Sequence, residues 1–377
     1  MHTIKIAGGR VYDPQKNAFE IRDVLVDGTV IGPDDGNEAA YTVDASGCIV
    51  TPGLIDYHCH LFSHVQAGSV PADLACLPYG VTTAVDAGTS GAPTYSLFHE
   101  MEVLRSVATV KAYVNIASLG ILSNVCMEDP RPGSMDTALI EEIFARYPGE
   151  AVALKLRNSL GVVAPGDEGP VRAMVQLAEK IGVPAVAHMT NPAVLPERTA
   201  EILRPGDVYC HVYQGIGETI LDAEGRVKEG IWKARERGVL FDACNGNSNF
   251  SFRVAEPAMQ QGFLPDLIST DLTPMSFHKP FVHDMPRLLS KYLMLGMSLE
   301  DILQRVTRNA ARQLGQEREL ASLEAGTVAD IAIFRLSEQP VVFGDRDGER
   351  RVGRSVLLPQ MTVKKGTIVW AQTGFNL

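Results

Sequence analysis

The chain has 377 residues, of which 45% are hydrophobic and 21% charged, and its formal net charge is −11. That length and apolar content allow one large buried core plus a smaller unit, and no stretch is poor enough in apolar residues to stay unfolded. The acidic balance excludes nucleic acid and anionic membrane surfaces as expected partners and leaves a small-molecule substrate open.

The N-terminal run MHTIKIAGGRVYDP lacks a basic start followed by an apolar stretch, so no secretory signal is expected. No apolar run approaches the ~20 residues of a membrane span. Cys48, Cys59, Cys76, Cys126, Cys210 and Cys244 are scattered, with no CxxC pair. A chain of this size needs no disulfide staples, so reduced thiols in a cytoplasmic protein are expected.

In chain order, residues 1–52 read as short strands (Ile4–Ala7, Asp23–Val26, Tyr41–Val43, Cys48–Val50) broken by turn residues such as Gly8-Gly9 and Asp27-Gly28. The middle, 53–319, alternates apolar runs of strand length with stretches of helical length. The runs are Gly53–His60, Val81–Gly88, Val110–Ser118, Ala151–Arg157, Pro184–Thr190, Asp207–Tyr213, Val239–Gly246 and Leu267–Thr273. Helices are expected at Thr94–Val107, Asp136–Tyr147, Asp167–Ile181, Ala193–Leu203, Lys228–Arg237 and Arg253–Gln261, then at Asp284–Leu295 and Ser298–Leu314. Eight near-continuous apolar strands separated by helices suit an α/β fold, a (β/α)8 TIM-like barrel, with a doubly wound open sheet as the competitor. Residues 320–377 return to short strands (Asp330–Phe334, Ser355–Pro359, Gly366–Ala371), so both termini are expected to combine into a small β-sandwich domain.

Four of the nine histidines fall at the C-terminal ends of three proposed strands: His58 and His60, His188, and His211. Residues i and i+2 of a strand share a face, so His58 and His60 point together into the barrel mouth, where active sites sit. Imidazoles converging there can grip a metal. Asp271 ends the eighth run and adds a carboxylate able to ligate and to carry a proton. Lys155 interrupts a strand that should be buried on both sides, where an unpaired ammonium is costly. Cys59 and Cys210 adjoin ligands by one residue, so the period of two turns them toward the helices.

The segment Thr51-Pro52-Gly53-Leu54-Ile55-Asp56-Tyr57-His58-Cys59-His60 resembles the signature of the amidohydrolase superfamily, which includes dihydroorotases, dihydropyrimidinases, ureases and related deacetylases. The segment Glu324–Ala332 resembles the return of that superfamily's chain into its small β domain. The resemblance implies two divalent metal ions, zinc being the expected one. It implies a carboxylated Lys155 bridging them, with His58, His60 and Asp271 on the more buried ion and His188 and His211 on the more exposed one. It further implies hydrolysis by a metal-bridging hydroxide, with Asp271 as general base and acid, and a homo-oligomer.

Dihydroorotases follow HxH with an arginine two residues on. This chain has Phe62 there, which favours the deacetylase relatives and a small carboxylate-bearing substrate, an N-acyl amino acid or an O-acyl α-hydroxy acid. Arg157 shares the face of Lys155 and can hold a carboxylate. Tyr213 bears the same relation to His211. Asn245-Gly246-Asn247 after the seventh run, and His64, Tyr95 and His278 in loops, are expected at the same mouth. The competing readings are a cyclic amidase of the dihydroorotase or hydantoinase type and a non-catalytic barrel scaffold. The acyl group, amide against ester, stereochemistry and metal identity are not legible.

Overall fold

The computed structural model describes residues 2–121 and 127–375, so Cys126 lies outside the described residues. Strands β1 (His2–Asp13), β2 (Ala18–Asp27), β3 (Val30–Ile31), β4 (Ala39–Asp44) and β5 (Ile49–Pro52) open the chain. Seven strands of a second sheet follow: β6 (Leu54–Cys59), β7 (Val81–Asp86), β8 (Thr109–Asn115), β9 (Ala151–Arg157), β10 (Ala185–His188), β11 (Val208–Cys210) and β12 (Leu240–Asp242). The chain closes with β13 (Ile331–Gly344), β14 (Arg350–Lys364) and β15 (Thr367–Ala371).

β6 to β12 pair in sequence order, every pair parallel. The run 267–273, expected as an eighth strand, forms only one ladder bridge, Leu267 to Asp242. It nevertheless hydrogen-bonds on both sides. Ala243 N donates to Leu267 O at 3.1 Å and Gly246 N to Thr270 O at 3.0 Å, while Asp271 N donates to His58 O at 2.7 Å and His60 N to Leu272 O at 3.2 Å. The segment thus closes the ring between β12 and β6 without strand geometry. Asp271, at φ 50°, takes it out of the extended region.

Period two sorts the barrel side chains. Ile55, Tyr57, Val85, Tyr113, Ala153, Val186, Val208 and Leu267 form an interior cluster; Leu54, Ala84, Leu154, Leu156, Ala187 and Phe241 face the helices in another. Two helices depart from expectation. The stretch 94–107 is an α-helix, Ala92–Phe98, running into one π-helical segment, His99–Val103. The stretch 298–314 splits into Leu299–Val306 and Arg308–Gln313 at Thr307 (φ −125°, ψ −88°); Ser298 still caps the first, accepting from Asp301 N at 3.1 Å.

The terminal strands make one sheet in the order β15-β14-β13-β5-β1-β2-β3, with β4 on β1. It has its own core, including Ile4, Ile6, Val24, Val50, Ile331 and Val363. Several ties bind it to the barrel, among them one at β8 and one at the loop after β12. Lys364 Nζ donates to Asp330 Oδ2 at 2.6 Å and to Thr109 Oγ1 of β8 at 2.8 Å. The tip of the β13–β14 hairpin meets the loop after β12: Arg346 N donates to Phe250 O at 3.2 Å, Phe252 N to Asp345 Oδ2 at 2.9 Å, and Ser251 Oγ to Asp347 Oδ2 at 2.6 Å.

Candidate metal centre

A cavity of about 410 Å³ opens at the C-terminal ends of the barrel strands, and His58, His60, Lys155, His188 and Asp271 line it. Each reaches it differently. Lys155 and His188 follow the interior phase set by Ala153 and Val186. At the end of β6 the register shifts between Asp56 and Cys59, so alternation fails there. Tyr57 joins the interior cluster and Cys59 the outer one, while His58 and His60 both face the mouth. His211 is out of phase with Val208 and Cys210, which occupy interior positions. Its φ of 63° turns the chain, and its ring centroid comes to 4.2 Å from that of His188.

Asp271 Oδ1 lies 3.3 Å from His60 Nε2 and 3.8 Å from His58 Nε2. These three residues offer ligand atoms within 4.8 Å of one another. Lys155 Nζ is 3.3 Å from His58 Nε2. Gly88 makes room for that lysine: at φ 80°, a Cβ there would sit 2.8 Å from Lys155 Cβ.

The outer ring nitrogens are held. His60 Nδ1 pairs with Thr89 Oγ1 at 2.8 Å, and His211 Nδ1 donates to Cys244 O at 2.7 Å. His211 Nε2 is therefore a bare lone pair, buried and without a hydrogen-bond partner among the described residues. An orphaned acceptor whose opposite nitrogen is anchored is what a metal-ligating histidine presents. Burial pushes the imidazoles of His58 and His188 well below the usual value, aided by the charges of Lys155 and Arg157, and takes His211 to about 4. Neutral imidazole is the ligating form. Burial alone would raise Asp271, but the hydrogen bond from His60 and the charges of His211 and Lys155 outweigh it and hold the carboxyl below its usual range. The residues fit a metal centre.

Of the expected substrate contacts, Arg157 does line the cavity; its Nη1 donates to the buried Glu128 at 2.5 Å. Asn247 lines it too, and the others do not. Tyr213 is fully buried, its hydroxyl donating to Phe263 O at 2.7 Å. The turn at His211 ends the alternation that was to place the two together. Asn245 is buried and accepts from Tyr292 at 2.7 Å. Gly246 packs beneath Asp271, where a Cβ would come within 2.3 Å of Oδ2. His278 stacks on Phe277 at 4.0 Å between ring centroids, outside the cavity. His64 bonds Glu102 and Tyr95 is a core residue, both also outside it. Cys210, expected to face the helices, points inward with Sγ 3.5 Å from His58 Nδ1. Phe62 is buried edge-on to Phe98 at 5.3 Å and contributes nothing to the cavity.

Sequence reasoning missed Asn249, whose Nδ2 donates to Asp271 Oδ2 at 2.6 Å, and Thr190, which holds Asn249 at 2.7 Å. It also missed Asp56, which accepts from Thr270 N at 3.0 Å and Oγ1 at 2.5 Å and so pins the closing segment to β6. The period-two count puts Asp56 on the face of His58, the one signal that points to it.

Residues 233–368 match the model of the amidohydrolase family. A deacetylase of Agrobacterium fabrum is 32% identical over 81% of this chain and 75% of its own. A deacetylase of Enterococcus faecalis is 28% identical over 85% of this chain and 87% of its own. Among solved structures, a dihydroorotase superposes with a TM-score of 0.89 at 28% identity, covering 99% of this chain and 98% of that one. An adenine deaminase gives 0.90 at 25% identity, covering 99% and 100%.

Proposed function

Because this chain belongs to the amidohydrolase superfamily, in its dihydroorotase-like deacetylase subgroup, we propose that it is a metal-dependent hydrolase removing an acyl group from a small carboxylate-bearing molecule, such as an N-acyl amino acid or O-acyl α-hydroxy acid. The observation that carries the reading is the buried Nε2 of His211, unpartnered among the described residues, on a ring 4.2 Å from that of His188 and beside the cavity lined by the other imidazoles, Lys155 and Asp271. His58, His60 and Asp271 would hold one divalent ion and His188 and His211 another, with carboxylated Lys155 shared between them; the donor set suits zinc. When bound, the ions lower the pKa of water and polarise an acyl carbonyl.

The chain's own residues do the rest. Asp271 takes the proton of the attacking water and delivers it to the departing nitrogen or oxygen. Thr89 and the Cys244 carbonyl fix the rings of His60 and His211. Arg157 gives one nitrogen to Glu128, and its Nε and Nη2, without partners among the described residues, would take the substrate's carboxylate. The five described cysteines are buried thiols, in keeping with a reducing cytoplasm.

Initial rates of zinc-loaded protein on N-acetyl D- and L-amino acids, O-acetyl D- and L-hydroxy acids, dihydroorotate and hydantoins test the reading. Turnover confined to one acyl class and one hand is expected. Turnover of the cyclic amides alone would replace it with a cyclic amidase.

A further inference from the structure

We propose that Asn249, with Thr190 behind it, is a positioning residue that fixes which oxygen of Asp271 faces the ligand histidines. This rests on the reading of Asp271 as ligand and proton carrier. Asn249 lies on the loop between β12 and the helix Phe252–Gln260 and is 8% exposed. Its Nδ2 donates to Asp271 Oδ2 at 2.6 Å, and its Oδ1 accepts from Thr190 Oγ1 at 2.7 Å. An ionised carboxylate only accepts, so the amide must present its NH2 end to Asp271. The hydroxyl of Thr190, donating to the opposite end, holds the amide in that sense.

With Oδ2 tied, Oδ1 is the oxygen left for the metal side, 3.3 Å from His60 Nε2. The terminal torsion of an aspartate is otherwise broad and nearly two-fold, so an untied Asp271 would exchange its two oxygens. Gly246 completes the slot: a Cβ there would fall 2.3 Å from Asp271 Oδ2 and 2.8 Å from Asn249 Nδ2, displacing the hydrogen-bonded pair. The chain thereby links the ends of β10 and β12 to the closing segment through three side chains. A residue acting through Asp271 in this way governs the rate of the chemical step rather than substrate affinity.

The test uses the full-length protein in zinc-loaded and cobalt-substituted forms, with the N-acetyl amino acid turned over fastest in the panel above. Asn249→Ala is expected to lower kcat by about 10–100-fold, with KM within about twofold and metal content retained, and to alter the cobalt d–d absorption bands. Thr190→Val should do the same to a smaller degree, and Thr190→Ser should lose less than Thr190→Val. An unchanged kcat with an unchanged cobalt spectrum overturns the proposal. So does a rise in KM alone, which would make Asn249 a substrate contact. If Asn249→Ala fails to fold, Thr190→Val carries the test. If no compound in the panel is turned over, the hydrolytic reading fails, and the cobalt spectrum still decides this one: altered bands support it, identical bands overturn it.

Discussion

Lys155 is 1% exposed, and its amine faces an imidazole and, at 5.9 Å, the ring of Tyr113. Among the described residues no carboxylate lies within ion-pair distance of it. A buried ammonium so placed is unfavourable, and the proposed carboxylation would turn it into an anion among the proposed ligands. Lys155→Ala is therefore expected to lose activity by about 100-fold or more, with part restored by added short carboxylates; kcat/KM with and without acetate or propionate checks this. Undiminished activity would make the lysine structural. The proposed ligands could be picked out because imidazole, amine and carboxylate stand out in or just past apolar runs, although His58, His60, His211 and Asp271 depart from strand alternation. Of the expected substrate contacts, Arg157 and Asn247 line the cavity, and the rest do not. Tyr213 was placed by an alternation that the positive φ of His211 interrupts, and nothing local marks Asn249, whose partners Thr190 and Asp271 are far off in the chain.

At the scale of elements, the buried pair Lys364–Asp330, each side chain 3% exposed, joins β14 to the start of β13 and, through Thr109, to β8. Burial pulls Lys364 below its usual range, opposed by the charge and hydrogen bond of Asp330. Removing one member strands the other in a dry site. Lys364→Met is expected to destabilise the protein by about 3–5 kcal/mol, read as a lower urea midpoint, and adding Asp330→Leu should recover part of the loss. The barrel strands were legible from apolar runs bounded by turn residues. The eighth run was placed correctly, but its lack of strand geometry was not legible, because its pairing comes from single hydrogen bonds to β6 and β12 and from the side chain of Asp56, which no periodicity encodes. The helix 298–314 was read as continuous because its apolar stripe persists through Thr307, whose hydroxyl bonds back to Leu303 O at 2.6 Å.

For the molecule as a whole, a bound metal would be thermodynamically linked to the fold, since the proposed ligands come from β9, β10, the ends of β6 and β11 and the closing segment. An ion at 1,000 times its Kd adds about 4 kcal/mol to stability if it binds only the folded chain. Chelation should therefore lower the calorimetric Tm, and readdition of zinc should restore it; a Tm indifferent to chelator would uncouple the site from the fold. No helix among the described residues is long and apolar enough to cross a membrane, and the net charge of −11 coexists with a cavity whose rim carries Arg157. The hairpin tip has a consequence in time. All six proposed ligands have been made once residue 271 is added, yet Asp345, Arg346 and Asp347, which hold the loop bearing Asn249, come more than seventy residues later. A nascent chain paused between those points would carry every proposed ligand and still lack the clasp on the loop bearing Asn249.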